Sequence, residues 1–452
     1  MESAVIVFCA LGILLICGKL IRLACPLLQK LYLPSSVIGG LLGLILLATG
    51  AVRLPAEAVA AMGKLPGFLI NVIFAAIFLG VVTPKLGTIC KLALPQLCMG
   101  QLLAWGQYVI GLGIAGFLLA PWFGVHPAVG NLLEIGFEGG HGTVGGMAQT
   151  FRDFGMEEGI ALGFTVATVG MILGIVVGMA LINWALRKKI IRSVQTFARR
   201  GKAEKLGIYR AKRRPAAGVQ TVLSDSIDSL AWHIALIGVA ILIGFGLLKG
   251  LQHLEIWVLP HAKTRVFGGF PLFPLCMIGG VLLQSFCHRV KLDYLIDHGQ
   301  MQRLSGAALD FLVVSAVATI KLSVVARNWL PLLILMVAGL AWSVVLLLFV
   351  APRLFRTAWF ECAIAEFGQG LGVTATGLML LRTVDPDSKT PAAASFGYKQ
   401  LIHEPFMGGG LWTASALVLV FTIGWLPVWY ICTGALIFWI GVAAVLIRRN
   451  RK

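Results

Sequence analysis

Apolar runs of roughly 20 residues recur along the whole chain, separated by short clusters of glycine, proline and charge. A helix of about that length crosses the ~30 Å hydrocarbon layer of a bilayer. The pattern therefore predicts spans near 3–24, 33–50, 66–84, 93–120, 158–185, 229–250, 268–287, 305–326, 330–351, 393–425 and 429–447, eleven in all. Two further segments, near 128–150 and 358–381, are apolar but broken by glycines and predict hairpins rather than spans. No small-residue cleavage site follows the first run and Arg22 stands at its end, so it is expected to remain as a helix rather than leave as a signal peptide.

Composition agrees: 58% of residues are apolar and 12% charged, which makes this an all-α polytopic membrane protein with no soluble domain expected. A formal charge of +18 would point to nucleic acid in a soluble protein, but here its distribution carries the information. With the first helix running from outside to inside, 29 Lys and Arg fall on the cytoplasmic side, seven outside, and Lys321 within a span. Cytoplasmic loops are the basic ones, so the N-terminus is expected outside and the C-terminus inside. The densest block, Arg187 to Arg214, has twelve basic residues against Glu204 and reads as a solvated linker beside anionic lipid headgroups, not a nucleic-acid site. The chain then divides into a first repeat (1–186), a basic cytoplasmic linker (187–228), a second repeat (229–425) and an extra C-terminal helix with its basic tail (426–452).

The repeat is visible in the residues themselves. Leu33–Gly40 reads LPSSVIGG, and 240 positions later the chain reads FPLCMIGG, aligning Pro34, Ile38, Gly39 and Gly40 with Pro274, Ile278, Gly279 and Gly280. In the hairpin segments, Gly140-His141-Gly142-Thr143 aligns with Gly370-Leu371-Gly372-Val373 at an offset of 230. Five helices is an odd number, so the second half starts on the opposite side and similar halves are related by inversion. Both hairpins then approach the midplane from opposite faces. Unwound backbone survives at that depth only where protein or a wet cavity satisfies it, and matched glycine breaks in two inverted halves point to a transporter site. Scattered glycines such as Gly170, Gly174 and Gly178 read instead as packing positions between helices.

On Gly139-Gly140-His141-Gly142-Thr143, on Gly370 to Thr374 with Thr376, and on the five-plus-five layout, the chain resembles the sodium/glutamate symporters of bacterial inner membranes over about residues 1–425. The resemblance implies Na⁺-coupled uptake of an acidic amino acid, both hairpins meeting at the binding site, and a homodimer in which one domain moves against another. It points to Gly139, Gly140, His141, Gly142, Thr143, Gln369, Gly370, Gly372, Thr374 and Thr376 as substrate-binding residues. No organic cofactor is implied, only Na⁺ as coupling ion. The chain departs from the family pattern at Val144-Gly145-Gly146-Met147, at Thr374-Ala375-Thr376 where a proline is usual, and in the helix at 429–447 ending in Arg448, Arg449, Arg451 and Lys452. The alternative is a proton-coupled or uncoupled transporter of another small organic anion.

Hard cations take oxygen ligands, which makes Asp310, Thr143 and Thr374 the candidate Na⁺ donors. Asp310 is also the clearest acid inside a span, where ionisable groups are functional candidates, and Lys321 would lie ~16 Å along the same helix. Glu134 and Glu138 approach the first hairpin, Glu361 and Glu366 the second, at nearly matching offsets, which suggests either a cation site in each half or acids merely solvated in wet hairpin mouths. His403-Glu404-Pro405 before Gly408–Gly410 predicts a break in the tenth helix and offers either a proton relay or a polar kink near the interface. Arg382 is the arginine nearest the second hairpin. His141 shares no ligand spacing with the other seven histidines, and the nine cysteines form no CxxC, so neither zinc nor a disulfide framework is expected. No G-x-x-x-x-G-K-[ST] occurs, which excludes an ATP-driven pump of that type. A channel filter normally arises from subunits around an axis, and no nucleophile–base spacing suggests an enzyme.

Overall fold

A computed structural model describes residues 2–30, 33–81, 86–191, 208, 216–258, 260, 267, 270–385 and 389–451. All regular elements among them are helical. The first half comprises α1 (Glu2–Ala24), α2 (Ser35–Ala48), α3 (Ala56–Ala76), α4 (Leu86–Ile114, continued through a π turn at Ala115–Leu119 to Ala120–Phe123), two half-helices α5 (Leu132–Phe137) and α6 (Gly140–Gly146), and α7 (Glu158–Arg187). The second comprises α8 (Ser229–Val258), α9 (Phe273–Arg289), α10 (His298–Ala318), α11 (Trp329–Val345, continued through a π turn at Leu346–Val350 to Ala351–Leu354), α12 (Trp359–Val384), α13 (Ala392–His403) and α14 (Leu411–Thr422). A last long helix, α15 (Trp425–Arg451), follows.

Nine helices among the described residues have the length and apolarity to cross a membrane, and α2 and α14 are shorter apolar helices. This is a multi-pass membrane protein. Large apolar side chains face outward along the bundle, among them Phe8 (71% exposed), Leu242 (67%) and Phe438 (63%), as a lipid-facing surface requires. Most of the basic linker lies outside the described residues.

Several boundaries differ from those the hydropathy predicts, for local reasons. Helix α3 spans Ala56–Ala76 rather than 66–84, because Pro55 caps a run of good helix formers that includes polar Glu57 and Lys64. Helix α10 starts early, at His298, where the Asp297 carboxylate accepts the Gln300 amide at 2.7 Å, and it ends at Ala318 instead of running to 326. Lys321 is consequently not within a span: it is exposed, in extended backbone just before a short helix at Leu322–Arg327. The apolar stretch 393–425 is two helices, α13 and α14, parted at Glu404–Gly410 where Gly408 and Gly409 take φ of +66° and +111°. The break expected from Pro405 and the three glycines is there.

Packing sorts the helices into two groups. In one, α2 lies between α1 and α10, α9 lies between α8 and α3, and α3 packs on α10. The IGG motifs serve this group as contact points rather than as breaks in helices α2 and α9. A Cβ on Gly39 would stand 2.3 Å from the Leu14 carbonyl oxygen of α1, and one on Gly279 would stand 2.1 Å from that of Ala240 on α8. The other group gathers α4, the half-helices, α7 and α11–α15, with α4 at its centre against α11, α13 and α15. The groups meet where α6 lies on α3, Gly145 against Pro66.

Candidate functional site

Two folded-back segments form the middle of the second group. After Phe137 the regular helix ends, and Gly140, with φ +68°, opens α6. Helix α12 is interrupted at Gly372 (φ −155°, ψ 40°) and Val373 (φ 61°, ψ 171°). A Cβ on Gly368 would stand 2.7 Å from the Gly377 Cα, although nine residues of continuous helix would separate those positions by ~13.5 Å. The two arms of α12 thus lie side by side, and despite its length the element is not one straight span. The tips touch: a Cβ on Gly140 would stand 2.4 Å from Val373 Cγ1. The packing expected of Gly170, Gly174 and Gly178 is against this second segment, at Leu371 and Leu380.

Beside the tips runs a buried polar network linking α4, α5, α12, α13 and the Glu404–Gly410 loop. Lys399 of α13 is completely buried and donates from Nζ to Glu366 Oε2 and Gln369 Oε1, both at 3.0 Å. Gly100 on α4 leaves room for it, since a Cβ there would stand 2.6 Å from Lys399 Cε. Gln96 Nε2 donates to Glu366 Oε1 (2.8 Å) and to the Cys362 carbonyl (2.9 Å). Gln400 donates to Gln369 Oε1 at 2.6 Å, and Gln369 donates to Glu138 Oε1 at 3.3 Å. His403 Nε2 contacts the same Glu138 oxygen.

The hydrogen bonds also fix protonation. Trp105 Nε1 can only donate, and it donates to Gln101 Oε1 at 2.8 Å, which leaves Gln101 Nε2 to donate to His403 Nδ1 at 3.1 Å. In this arrangement His403 is the neutral Nε2–H tautomer, donating to Glu138.

One turn before Glu138, Glu134 is fully engaged. Its Oε2 accepts the Tyr108 hydroxyl at 2.6 Å, and its Oε1 accepts the Gly408 amide and the Thr413 hydroxyl, each at 2.9 Å. It braces the loop before α14, whose own first amides, at Leu411, Trp412 and Thr413, are taken by the Pro405 and Phe406 carbonyls.

The residues singled out by the sequence are only partly gathered here. Gln369 is central. The Gly370 carbonyl, left free near the break, accepts Gln107 Nε2 at 2.6 Å. Thr374 donates to Glu404 Oε1 at 2.9 Å, and Gly372 lies close to the Thr376 hydroxyl. Thr143 donates to the Gly139 carbonyl at 2.9 Å and lies 3.4 Å from that of Gly408. Gly142 packs on Ile70 of α3. His141 turns the other way, its Nε2 2.9 Å from the Thr168 hydroxyl of α7. Asp310 stands apart. Leu312 of the same helix is the residue within 4.0 Å of the position a Gly142 Cβ would occupy, whereas Asp310, two residues away and so on the far face, bonds Ser36 of α2. Glu361 is half-buried and Arg382 exposed, both outside the network.

Lys399 escaped the sequence reading, which placed it with the cytoplasmic cations. Its signal was the i, i+4 pairing of Lys399 with His403 on one helical face. The glutamines of α4, Gln96, Gln101 and Gln107 inside an otherwise apolar run, were the other overlooked mark. No group of three His, Cys, Asp or Glu among the described residues is arranged to hold a metal, and the structure records eight of the nine cysteines, all but Cys90, as free thiols. A cavity of about 480 Å³ opens elsewhere, beside Gly145 and Gly146, and is lined also by Lys64, Asn71, Arg152 and Gln252.

Residues 2–387 match the family of sodium/glutamate symporters. No curated protein matches the chain.

Proposed function

The chain belongs to the sodium/glutamate symporter family, and on that premise we propose that it is a secondary transporter carrying glutamate or a related acidic amino acid inward with Na⁺ by alternating access. One observation supports this most: the tips of two folded-back segments meet beside a buried network with four carboxylates, Glu134, Glu138, Glu366 and Glu404, and one lysine, Lys399. Lys399 is matched by Glu366, so three carboxylates have no cation partner in the network. An anionic substrate placed about 5 Å from one bare carboxylate is repelled by about 3 kcal/mol at an effective dielectric of 20. A cation that arrives with the substrate removes that penalty, which is the physical content of symport.

In this reading the substrate lies at the tips, among Gly139–Thr143, Gln369, Gly370, Gly372, Thr374 and Thr376, with the N-terminal amides of the second arm of α12 and the Lys399 ammonium as positive poles. Thr143, Thr374 and the carbonyls at the breaks supply oxygens for Na⁺, while Asp310 belongs to the seam between α2 and α10. The halves form an inverted repeat with re-entrant hairpins. Supporting this, α4 and α11 each pass through a π turn into an Ala-Pro pair, Ala120-Pro121 and Ala351-Pro352, and each IGG motif joins its helix to the one before it. The protein sits in the bacterial inner membrane with its N-terminus outside and C-terminus inside, as a homodimer surrounded by lipid. Reporters after Lys452 and near Lys205 should be cytoplasmic and one near Asp153 external.

The Glu138–His403 contact favours a second reading, in which a proton drives uptake. Proteoliposomes offered a panel of amino and dicarboxylic acids, with Na⁺ and pH gradients imposed separately, decide between them. Uptake of an acidic amino acid under the Na⁺ gradient alone is the expected result; uptake under the pH gradient alone would transfer the mechanism to protons.

A further inference from the structure

The polar centre is unbalanced in a specific way. Its buried atoms without a partner are oxygens: Glu138 Oε2, Gln96 Oε1, Gln107 Oε1 and Asn131 Oδ1, against one donor, Trp412 Nε1. The amide orientations are set by what their nitrogens donate to, namely Glu366 and the Cys362 carbonyl, the Gly370 carbonyl and the Ala128 carbonyl, so flipping them gains nothing. Surplus buried acceptors call for a cation, since an anion would leave them unsatisfied.

Glu138 carries the charge among these oxygens. Its side chain is 2% exposed, Oε1 is occupied by His403 and Gln369, and Oε2 has no partner among the described residues. Next to it lies an oxygen-rich nook formed by two glycine breaks. Thr143 Oγ1 is 2.9 Å from the Gly139 oxygen and 3.4 Å from the Gly408 oxygen, and the Gly408 Cα faces the Glu138 carboxylate, where a Cβ would stand 3.4 Å from Cγ and 3.9 Å from Oε1. Gly409, with φ +111°, passes so close that a Cβ would meet Thr143 Oγ1 at 2.5 Å. Glutamate 134, by contrast, has both oxygens engaged and nothing left to offer.

We propose that Glu138 Oε2 anchors a Na⁺ site in this nook, with Thr143 Oγ1 and the Gly139 and Gly408 carbonyls as neutral ligands. The inference rests on the Na⁺-symport reading and names the ion's carboxylate. A monovalent cation there neutralises Glu138 beside the tips and ties α5 to the Glu404–Gly410 loop. Binding therefore alters the surroundings of Trp105 and Trp412, whose rings lie 4.9 Å apart and connect to Glu138 through Gln101 and His403.

The test is Na⁺ titration of the purified full-length protein without substrate, read by tryptophan fluorescence and by radiolabelled Na⁺ binding. The parent should saturate. Glu138→Gln, which keeps the shape and an acceptor for His403, should raise half-saturation at least tenfold. Thr143→Val, which removes Oγ1 at constant size, should raise it several-fold, while Thr143→Ser should restore it; this pair decides the matter should the Glu138 variant fail to fold. Folded Glu138→Gln and Thr143→Val proteins that bind Na⁺ like a responsive parent would overturn the site and leave Na⁺ symport standing. A parent that binds no Na⁺ and takes up substrate on a pH gradient alone would overturn both.

Discussion

The two breaks at the centre of the molecule are built from opposite materials. At the first, the positive φ falls on Gly140, which adopts it at little cost, and the half-helix leading into it holds two buried carboxylates. At the second it falls on Val373, a β-branched residue for which φ near +61° costs of order 1–3 kcal/mol, and the arm leading into it holds one buried carboxylate, Glu366, which is paired with Lys399. Carboxylates without a lysine or arginine partner are held at the relaxed break, and strain with a matched ion pair at the other. On the proposed reading, the relaxed break holds an ion in a defined geometry, and the strain at the other is released when its tip changes conformation.

The contrast can be broken most severely at the lysine that joins the two regions. Lys399→Ala leaves Glu366 buried and unpaired, and losing one partner of a buried ion pair typically costs about 3–5 kcal/mol. Folded yield and melting temperature should both drop, and Lys399→Met with Glu366→Gln should recover much of the loss. A single alanine variant as stable as the parent would show that the pair is hydrated rather than sealed.

Next in size, Gly140→Val should reduce uptake more than tenfold in protein that still inserts, because its side chain combines an unfavourable φ with a collision at Val373. Gly174→Val should be milder, since a Cβ there stands 3.2 Å from Leu371 Cβ, tight but adjustable. Equal losses in uptake and yield at both positions would make Gly140 a packing residue. Val373→Gly tests the strain directly and should stabilise the folded protein by about 1 kcal/mol, with altered turnover; a lower melting temperature would show that the valine side chain contributes more than its backbone costs. The smallest change is expected for Asp310→Asn, whose Na⁺ half-saturation should stay within about twofold of the parent's, given its place at the α2–α10 seam. A tenfold rise would bring Asp310 into the coupling site.

Much of this was legible in the chain. Apolar run length determines that α1, α7, α8 and α15 cross a bilayer, because a helix in hydrocarbon must satisfy its own backbone and needs about 20 residues to do so. Glycines with Pro405 located all three breaks; glycine takes the positive φ at Gly140 and at Gly408–Gly409, whereas in the second segment it falls on Val373, beside Gly372. What the sequence could not decide was partnership. Glu134 and Glu138 are the same residue type one turn apart, and only the arrival of Tyr108, Thr413 and Gly408 from distant elements satisfies both oxygens of one and leaves the other with a vacant oxygen. Lys399 reads locally as one more cytoplasmic cation until α4 and α12 close over it, and Asp310 reads as an interior acid until α10 turns it toward α2. Periodicity and length are properties of a segment, but burial and pairing of a charge depend on residues up to 279 positions away, and those only the tertiary structure brings together.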